Sequence, residues 1–135
     1  MAFDREIATI TIYSEASGED HTTRLGVAYT ILNRLGRFGS TVSEVCLKRL
    51  QFSGWNADPL DNANLLRAAR CPDDDEAMRD CGIAFDQAKY QSVPDPTHSA
   101  THYYDVSMAN NPPSWALGAI RTVQLGRLIF FRGVR

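Results

Sequence analysis

The chain has 135 residues, 44% hydrophobic and 22% charged, the make-up of one ordinary globular domain, 1–135, with length for a real core. Fourteen Lys and Arg against sixteen Asp and Glu leave a net charge of −2, without the basic excess that nucleic-acid binding needs. No apolar stretch reaches the length of a bilayer span, and no charged-then-apolar leader opens the chain.

The first helix is predicted from Asp4, as its cap, to about Ala16. Phe3, Ile7 and Ile10 supply its apolar period, and Gly18 its C-cap. A second runs from Glu19 or Asp20 to Leu35, with Leu25, Ala28, Ile31, Leu32 and Leu35 as a core-facing stripe ended by Gly36 and Gly39. Thr41 to Glu44 reads as the capping box of a third helix through Leu50. Gln51 to Trp55 breaks the helical period as a loop or short strand. Asp58-Pro59 then starts a fourth helix that ends at Arg70. Pro72 and the acids Asp73 to Glu76 open a fifth, where negative charge suits a helix N-terminus better than a metal. Pro94 and Pro96 stop it. Strands follow at Thr101–Val106, Arg121–Leu125 and Leu128–Arg132, the last two joined by a turn at Gly126-Arg127. Helices first and a small antiparallel sheet last make the fold class α+β, mostly helical. Cys46, Cys71 and Cys81 form no C-x-x-C pair and read as free thiols of a reducing compartment, a lone Cys71–Cys81 bridge being the alternative.

Glu15 is the residue with the most chemistry to offer. It lies in the run Tyr13-Ser-Glu-Ala-Ser-Gly-Glu19, at the C-terminal end of the first helix, where the helix dipole disfavours a negative charge. Burial against Tyr13 would disfavour it further, and a carboxyl kept protonated is what a glycosidase needs to protonate a leaving sugar oxygen. The plain alternative is a solvated helix-end carboxylate. Trp55, Tyr103, Tyr104 and Trp115 offer ring faces to sugars, whereas Phe52, Phe130 and Phe131 read as core. Asn33 and Gln51 suit N-acetyl groups, although Asn33 reads first as a helix C-cap. Glu19 is expected to orient the loop or cap the second helix, with a direct catalytic role as the other reading.

Five pieces stand in order along the chain: Glu15-Ala-Ser-Gly-Glu19; Ala28-Tyr-Thr-Ile-Leu-Asn-Arg34; Gln51-Phe-Ser-Gly-Trp55; Asp95-Pro-Thr-His-Ser-Ala-Thr-His-Tyr-Tyr104; and Gly126-Arg-Leu-Ile-Phe-Phe-Arg132. Together they resemble the cell-wall hydrolase family typified by the spore-cortex-lytic enzyme SleB, which also occurs as phage lysins. The resemblance implies a lysozyme-like domain that cuts peptidoglycan between N-acetylmuramic acid and N-acetylglucosamine. It places the catalytic acid at Glu15 and puts Gln51, Ser53 and Tyr104 in the substrate groove. Glu19, Trp55 and Tyr103 complete the expected substrate-binding set. His98 and Ser99 stand where the family has glycine, and the bulk of His98 there is expected to alter the groove wall. A lytic transglycosylase is expected, because Glu15 is the one well-placed carboxyl; a hydrolytic muramidase would use Glu19 as its second.

Two other classes stand beside this reading. His98 and His102, with His21 or a cysteine, could build a zinc amidase, although two histidines do not complete a three-ligand site. A non-catalytic wall-binding or virion protein is the second. The expectation is therefore a monomeric phage endolysin that needs no cofactor or metal and does not insert in membranes. It would be made in the bacterial host cytoplasm and released to the wall, or carried in the virion.

Overall fold

The computed structural model describes residues 3–48 and 75–135. The predicted fourth helix, the Gln51–Trp55 segment, Cys71 and the acids Asp73 and Asp74 lie outside the described residues. Within them the order is α1 (Asp4–Ala16), α2 (His21–Asn33), α3 (Val42–Leu47), α4 (Glu76–Lys89), β1 (His102–Asp105), β2 (Ile120–Leu125) and β3 (Leu128–Arg132). Short 3-10 turns at Val106–Met108 and Ser114–Ala116 fill the connection from β1 to β2. None of the described helices is long and apolar enough to cross a membrane.

Three helices start as their cap residues predict. The side chains of Asp20, Thr41 and Asp75 accept hydrogen bonds from the amides of Thr23, Glu44 and Met78, three residues on in each case. Glu44 completes its box one residue early, accepting from the Ser40 amide at 2.7 Å. The first helix departs from expectation. Phe3, not Asp4, holds its N-cap position, and Asp4 instead accepts from the amide and hydroxyl of Ser43, tying α1 to the start of α3. At the other end Ser17 is the C-cap and stays right-handed, and Gly18 takes no positive φ.

The apolar period read in the sequence holds for Ile7 and Ile10, which pack against the core, but not for Phe3. Phe3 is exposed, and the buried stripe runs through Ala8, Thr11, Ile12 and Ala16. Thr9 and Thr11 can be buried because their hydroxyls donate to the carbonyls of Arg5 and Ile7 at 2.7 Å, leaving only methyl groups to pack. Similarly, α2 ends at Asn33, two residues before the expected Leu35, so Leu35 falls past the helix and is exposed. Gly36 then takes a φ of +91° to turn the chain back.

The sheet is antiparallel in the order β1-β3-β2, so the last strand is the central one. Its residues Leu128, Ile129, Phe130 and Phe131 are all buried, as a strand covered on both faces requires. Leu128 and Phe130 join the helical core with Ile12, Val27, Ile31 and Phe85. Ile129 and Phe131 face the other way, under Tyr104, Val106 and Trp115. Helix α2 comes so near the sheet that a Cβ on Gly26 would stand 2.9 Å from Leu125 and 3.0 Å from Phe130. The hairpin between β2 and β3 turns on Gly126, whose φ of +53° suits the first central position of a two-residue turn.

Candidate active site

Three elements bring side chains to the end of α1. Glu15 sits on its last turn, half-buried, next to the core residues Ser14 and Ala16. From β1, Tyr103 brings a hydroxyl buried beside the Glu15 carboxyl. That hydroxyl makes no hydrogen bond of regular geometry with any described residue. Burial, then the neighbouring Glu15 charge, hold it well above the ordinary tyrosine range, so it stays protonated. From the end of α2 comes Arg34, only 3% exposed, whose Nε donates to the Thr101 carbonyl at 2.5 Å. From α3 comes Cys46, buried and pushed up to about 12 chiefly by desolvation, and so an uncharged wall.

The two carboxylates nearest in sequence point to other work. Asp20 accepts from both the amide and the hydroxyl of Thr23, at 2.9 and 2.7 Å. Glu19 accepts from the Arg127 amide at 3.2 Å and lies over the β2–β3 turn, where a Cβ on Gly126 would stand 2.1 Å from its Oε2. Glu19 thus orients the hairpin against the α1–α2 loop, and Asp20 caps α2. Asp105 forms a two-toothed pair with Arg127 at 2.8 and 3.2 Å.

The aromatic residues divide between two faces. Tyr103 packs on Phe130, with ring centroids 5.4 Å apart, on the helical side of the sheet. Its neighbour Tyr104 stacks on Phe131 at 5.2 Å on the opposite side, with Trp115 at 6.0 Å. Strand alternation therefore sets Tyr104 and Trp115 apart from Tyr103 and Glu15. Phe130 and Phe131 are core, as expected. Gln51, Ser53 and Trp55 lie outside the described residues.

His21 and His102 are each held by contacts of their own. His21 Nδ1 is 2.8 Å from both Asp80 carboxylate oxygens, and its Nε2 is 2.6 Å from Gln87 Oε1. His102 is buried between Phe38 at 5.3 Å and Trp115 at 4.9 Å, with Nδ1 2.9 Å from the Thr101 hydroxyl. Burial, followed by the charges of Arg34 and Arg37, brings its pKa down to about 4, so it is neutral at physiological pH. His98 is on the turn before β1 with a φ of +55°. Among the described residues no three of His, Cys, Asp and Glu gather where they could hold a metal ion.

Two further results concern the motif around Asp95. Asn33 donates to Asp95 Oδ2 at 3.0 Å and to the Ala100 carbonyl at 2.9 Å, so it ties α2 to the approach to β1. Asp95 also accepts from the amides of Thr97 and Ser99 and from the Thr97 hydroxyl. His98 and Ser99 both have left-handed backbone, φ +55° and +69°, a geometry that glycine takes at no steric cost. Arg34 carried no role in the sequence reading. A cation after a periodic helix and before Gly36 looks like an ordinary dipole partner, and only the long-range contact with Thr101 marks it as buried.

The fold has counterparts among known proteins. The model of the Cell Wall Hydrolase family matches residues 18–131. The fold is similar to the crystal structure of the catalytic domain of the Bacillus cereus SleB protein, with a TM-score of 0.73 and 22% identity, covering 98% of this chain and 91% of that one. It is likewise similar to the catalytic domain of the germination-specific lytic transglycosylase SleB from Bacillus anthracis, with a TM-score of 0.70 and 23% identity, covering 96% and 93%. No curated protein matches the sequence.

Proposed function

This chain belongs to the cell wall hydrolase family, and from that premise we propose that it degrades peptidoglycan, cutting the glycan strand as a lytic transglycosylase with Glu15 as its acid and base. The scissile bond in this reading joins N-acetylmuramic acid to N-acetylglucosamine. The observation that carries it is the division of labour among the carboxylates. Glu15 lies beside the Tyr103 hydroxyl, while Glu19 is engaged by the Arg127 amide and Asp20 by Thr23.

Hydrolysis needs a second carboxylate, about 5–5.5 Å away for retention and roughly 6.5–9.5 Å for inversion. Transglycosylation does not. Glu15 first gives its proton to the glycosidic oxygen, which leaves with the bonding pair as an alcohol. The carboxylate so formed takes the proton of the muramic acid 6-hydroxyl, whose oxygen closes on C1. No water is consumed, and the tethered hydroxyl has the advantage of an intramolecular nucleophile. The Tyr103 hydroxyl, buried beside Glu15 and held protonated, is placed to donate to the carboxylate that exists between the two steps. The similarity to a SleB described as a lytic transglycosylase supports the same reaction. The endolysin role rests on the likeness to phage lysins, and expression in a bacterium with and without a co-expressed pore-forming lysis protein tests it.

Mass spectrometry of the fragments released from purified peptidoglycan tests the reaction. The expected products carry 1,6-anhydromuramic ends, one water lighter than hydrolytic ones; reducing muramic acid ends would move the assignment to a muramidase and make Glu19 the next residue to vary. Glu15→Gln should lower wall clearing by about a hundred- to ten-thousand-fold, the usual share of general acid–base catalysis. Clearing near the wild-type rate by that variant would remove Glu15 from the mechanism.

A further inference from the structure

We infer that Arg24 is a positioning residue for Glu15: reaching across from α2, it caps the carbonyl end of α1 and so fixes the turn on which Glu15 stands. The inference rests on the proposed role of Glu15 and deepens it. A helix leaves its last carbonyls without partners inside the helix, and a left-handed residue just past the end is a common remedy. Here α1 lacks that remedy. Ser17 stays right-handed, Gly18 takes no positive φ, and no basic residue stands in the last turn of the helix. Arg24 supplies what is missing. Its Nε donates to the Ala16 carbonyl at 3.2 Å and its Nη2 to the Ser17 carbonyl at 2.7 Å, the carbonyls of the two residues that follow Glu15. The cation also suits the negative end of the α1 dipole.

The guanidinium is itself held. Its Nη1 donates to Asp80 Oδ2 of α4 at 2.9 Å, and the Arg24 side chain is only 12% exposed. Asp80 is fixed in turn by His21, whose Nδ1 lies 2.8 Å from both carboxylate oxygens and whose Nε2 is 2.6 Å from Gln87 Oε1. Three nitrogens of one planar fork thus meet three acceptors, two at the end of α1 and one on α4, a spread that a single ammonium does not match. The Ala16 carbonyl also accepts from the Glu19 amide at 3.1 Å, so the same contact steadies the start of the α1–α2 loop. A displaced turn carries the Glu15 carboxyl with it, and a shift of about 1 Å at a reacting group can cost on the order of a hundredfold in rate. The plain alternative is a strut that joins α1, α2 and α4 and contributes to stability alone.

Amide hydrogen exchange and steady-state kinetics on the whole chain separate the two. In Arg24→Met the amides of Glu19, bonded to the Ala16 carbonyl, and of Ser17, bonded to the Tyr13 carbonyl, should exchange about ten- to a hundredfold faster, the contribution of one hydrogen bond to a charged group. On soluble glycan chains cut from peptidoglycan, kcat per folded molecule should fall about ten- to a hundredfold while KM stays near the wild-type value, because the reacting group loses its alignment and the groove keeps its contacts. Arg24→Lys, which keeps the charge without the fork, should recover part of kcat. Should Arg24→Met fold poorly, Asp80→Asn carries the test: it leaves Arg24 in place, weakens its hold, and should give the same pattern in smaller measure. A strut predicts a lower unfolding midpoint with unchanged kcat per folded molecule. That result in the folded variant, or faster exchange spread evenly over α1, α2 and α4, overturns the inference. Glu15→Gln keeps the two levels apart: activity surviving there removes Glu15 from the mechanism, whereas activity lost there with kcat intact in Arg24→Met removes Arg24 alone.

Discussion

Replacing Tyr103 by phenylalanine removes one oxygen from the candidate site and almost nothing else. The ring keeps its contact with Phe130, centroids 5.4 Å apart, so no cavity opens. The hydroxyl is buried and has no regular hydrogen bond among the described residues. An unsatisfied buried polar group costs about 1–3 kcal/mol, of which the off-geometry contact with Glu15 returns a part. Tyr103→Phe should therefore stabilise the fold by about 1 kcal/mol, which in a domain of this size raises Tm by roughly 3–5 °C. Activity should move the other way. If that hydroxyl tightens on the Glu15 carboxylate after the first proton transfer, losing one bond of about 1.4 kcal/mol slows the reaction about tenfold. Calorimetry and the clearing of purified walls measure the two quantities on one preparation. A variant that is less stable than wild type, yet equally active, would refute both the unsatisfied hydroxyl and its service to Glu15.

Other perturbations test the frame around the site. Ser99→Gly should raise stability, since a left-handed residue with a side chain costs about 1–2 kcal/mol and the extra freedom of glycine in the unfolded chain returns only about 0.5–1 kcal/mol; an unchanged or lower urea midpoint would contradict the strain. Gly126→Ala should lower stability by roughly 2 kcal/mol, because its φ is +53° and its Cβ would meet Glu19 Oε2 at 2.1 Å, and a Tm equal to wild type would show that Glu19 is not seated on the turn. The α2–α4 clamp predicts a pH dependence. Burial opposes it, but Asp80 and Gln87 still hold His21 above its ordinary 6.5, so its contribution is full below that pH and is lost as pH rises through the folded-state value. Burial likewise opposes the lowering of Asp80 below 3.8 by His21 and Arg24, whose contribution is lost as pH falls. Urea midpoints should therefore be highest between about pH 4 and 6.5, and His21→Gln should flatten the alkaline side and weaken the acid side, where Arg24 still holds Asp80 down.

The helices and strands were legible where local chemistry decides them. Asp20, Thr41 and Asp75 are caps because their oxygens lie three residues from an orphan amide, a distance set by chain geometry alone. The buried face of α1 was not legible, since Thr9 and Thr11 look polar until their hydroxyls are seen to bond back to the helix. Phe130 and Phe131 announced a core strand, and among the described strands β3 is the one covered on both faces. Glu15 was visible from its motif, but its surroundings were not. Arg34 meets Thr101 across 67 residues, and Glu19 meets Arg127 across 108, separations at which no periodicity carries information. That Tyr103 and Tyr104 lie on opposite sides of the sheet was not legible for a simpler reason. Neighbours on a strand face opposite ways, and only the position of the core says which is which.

That alternation makes β1 a reading frame. His102, Tyr103 and Tyr104 face Phe131, Phe130 and Ile129 in turn on β3, and a slip of one residue would hand the place beside Glu15 to an imidazole or to a ring now under Trp115. The segment before the strand is pinned by Asp95 and Asn33, so a single-residue deletion there cannot be absorbed and should abolish activity while leaving helix content intact. Beyond β1 the chain runs through the exposed stretch 107–112, where insertions leave the frame untouched. Diversification of this scaffold, by evolution or in the laboratory, therefore has one permissive doorway on the C-terminal side of the strand and a closed one on the other.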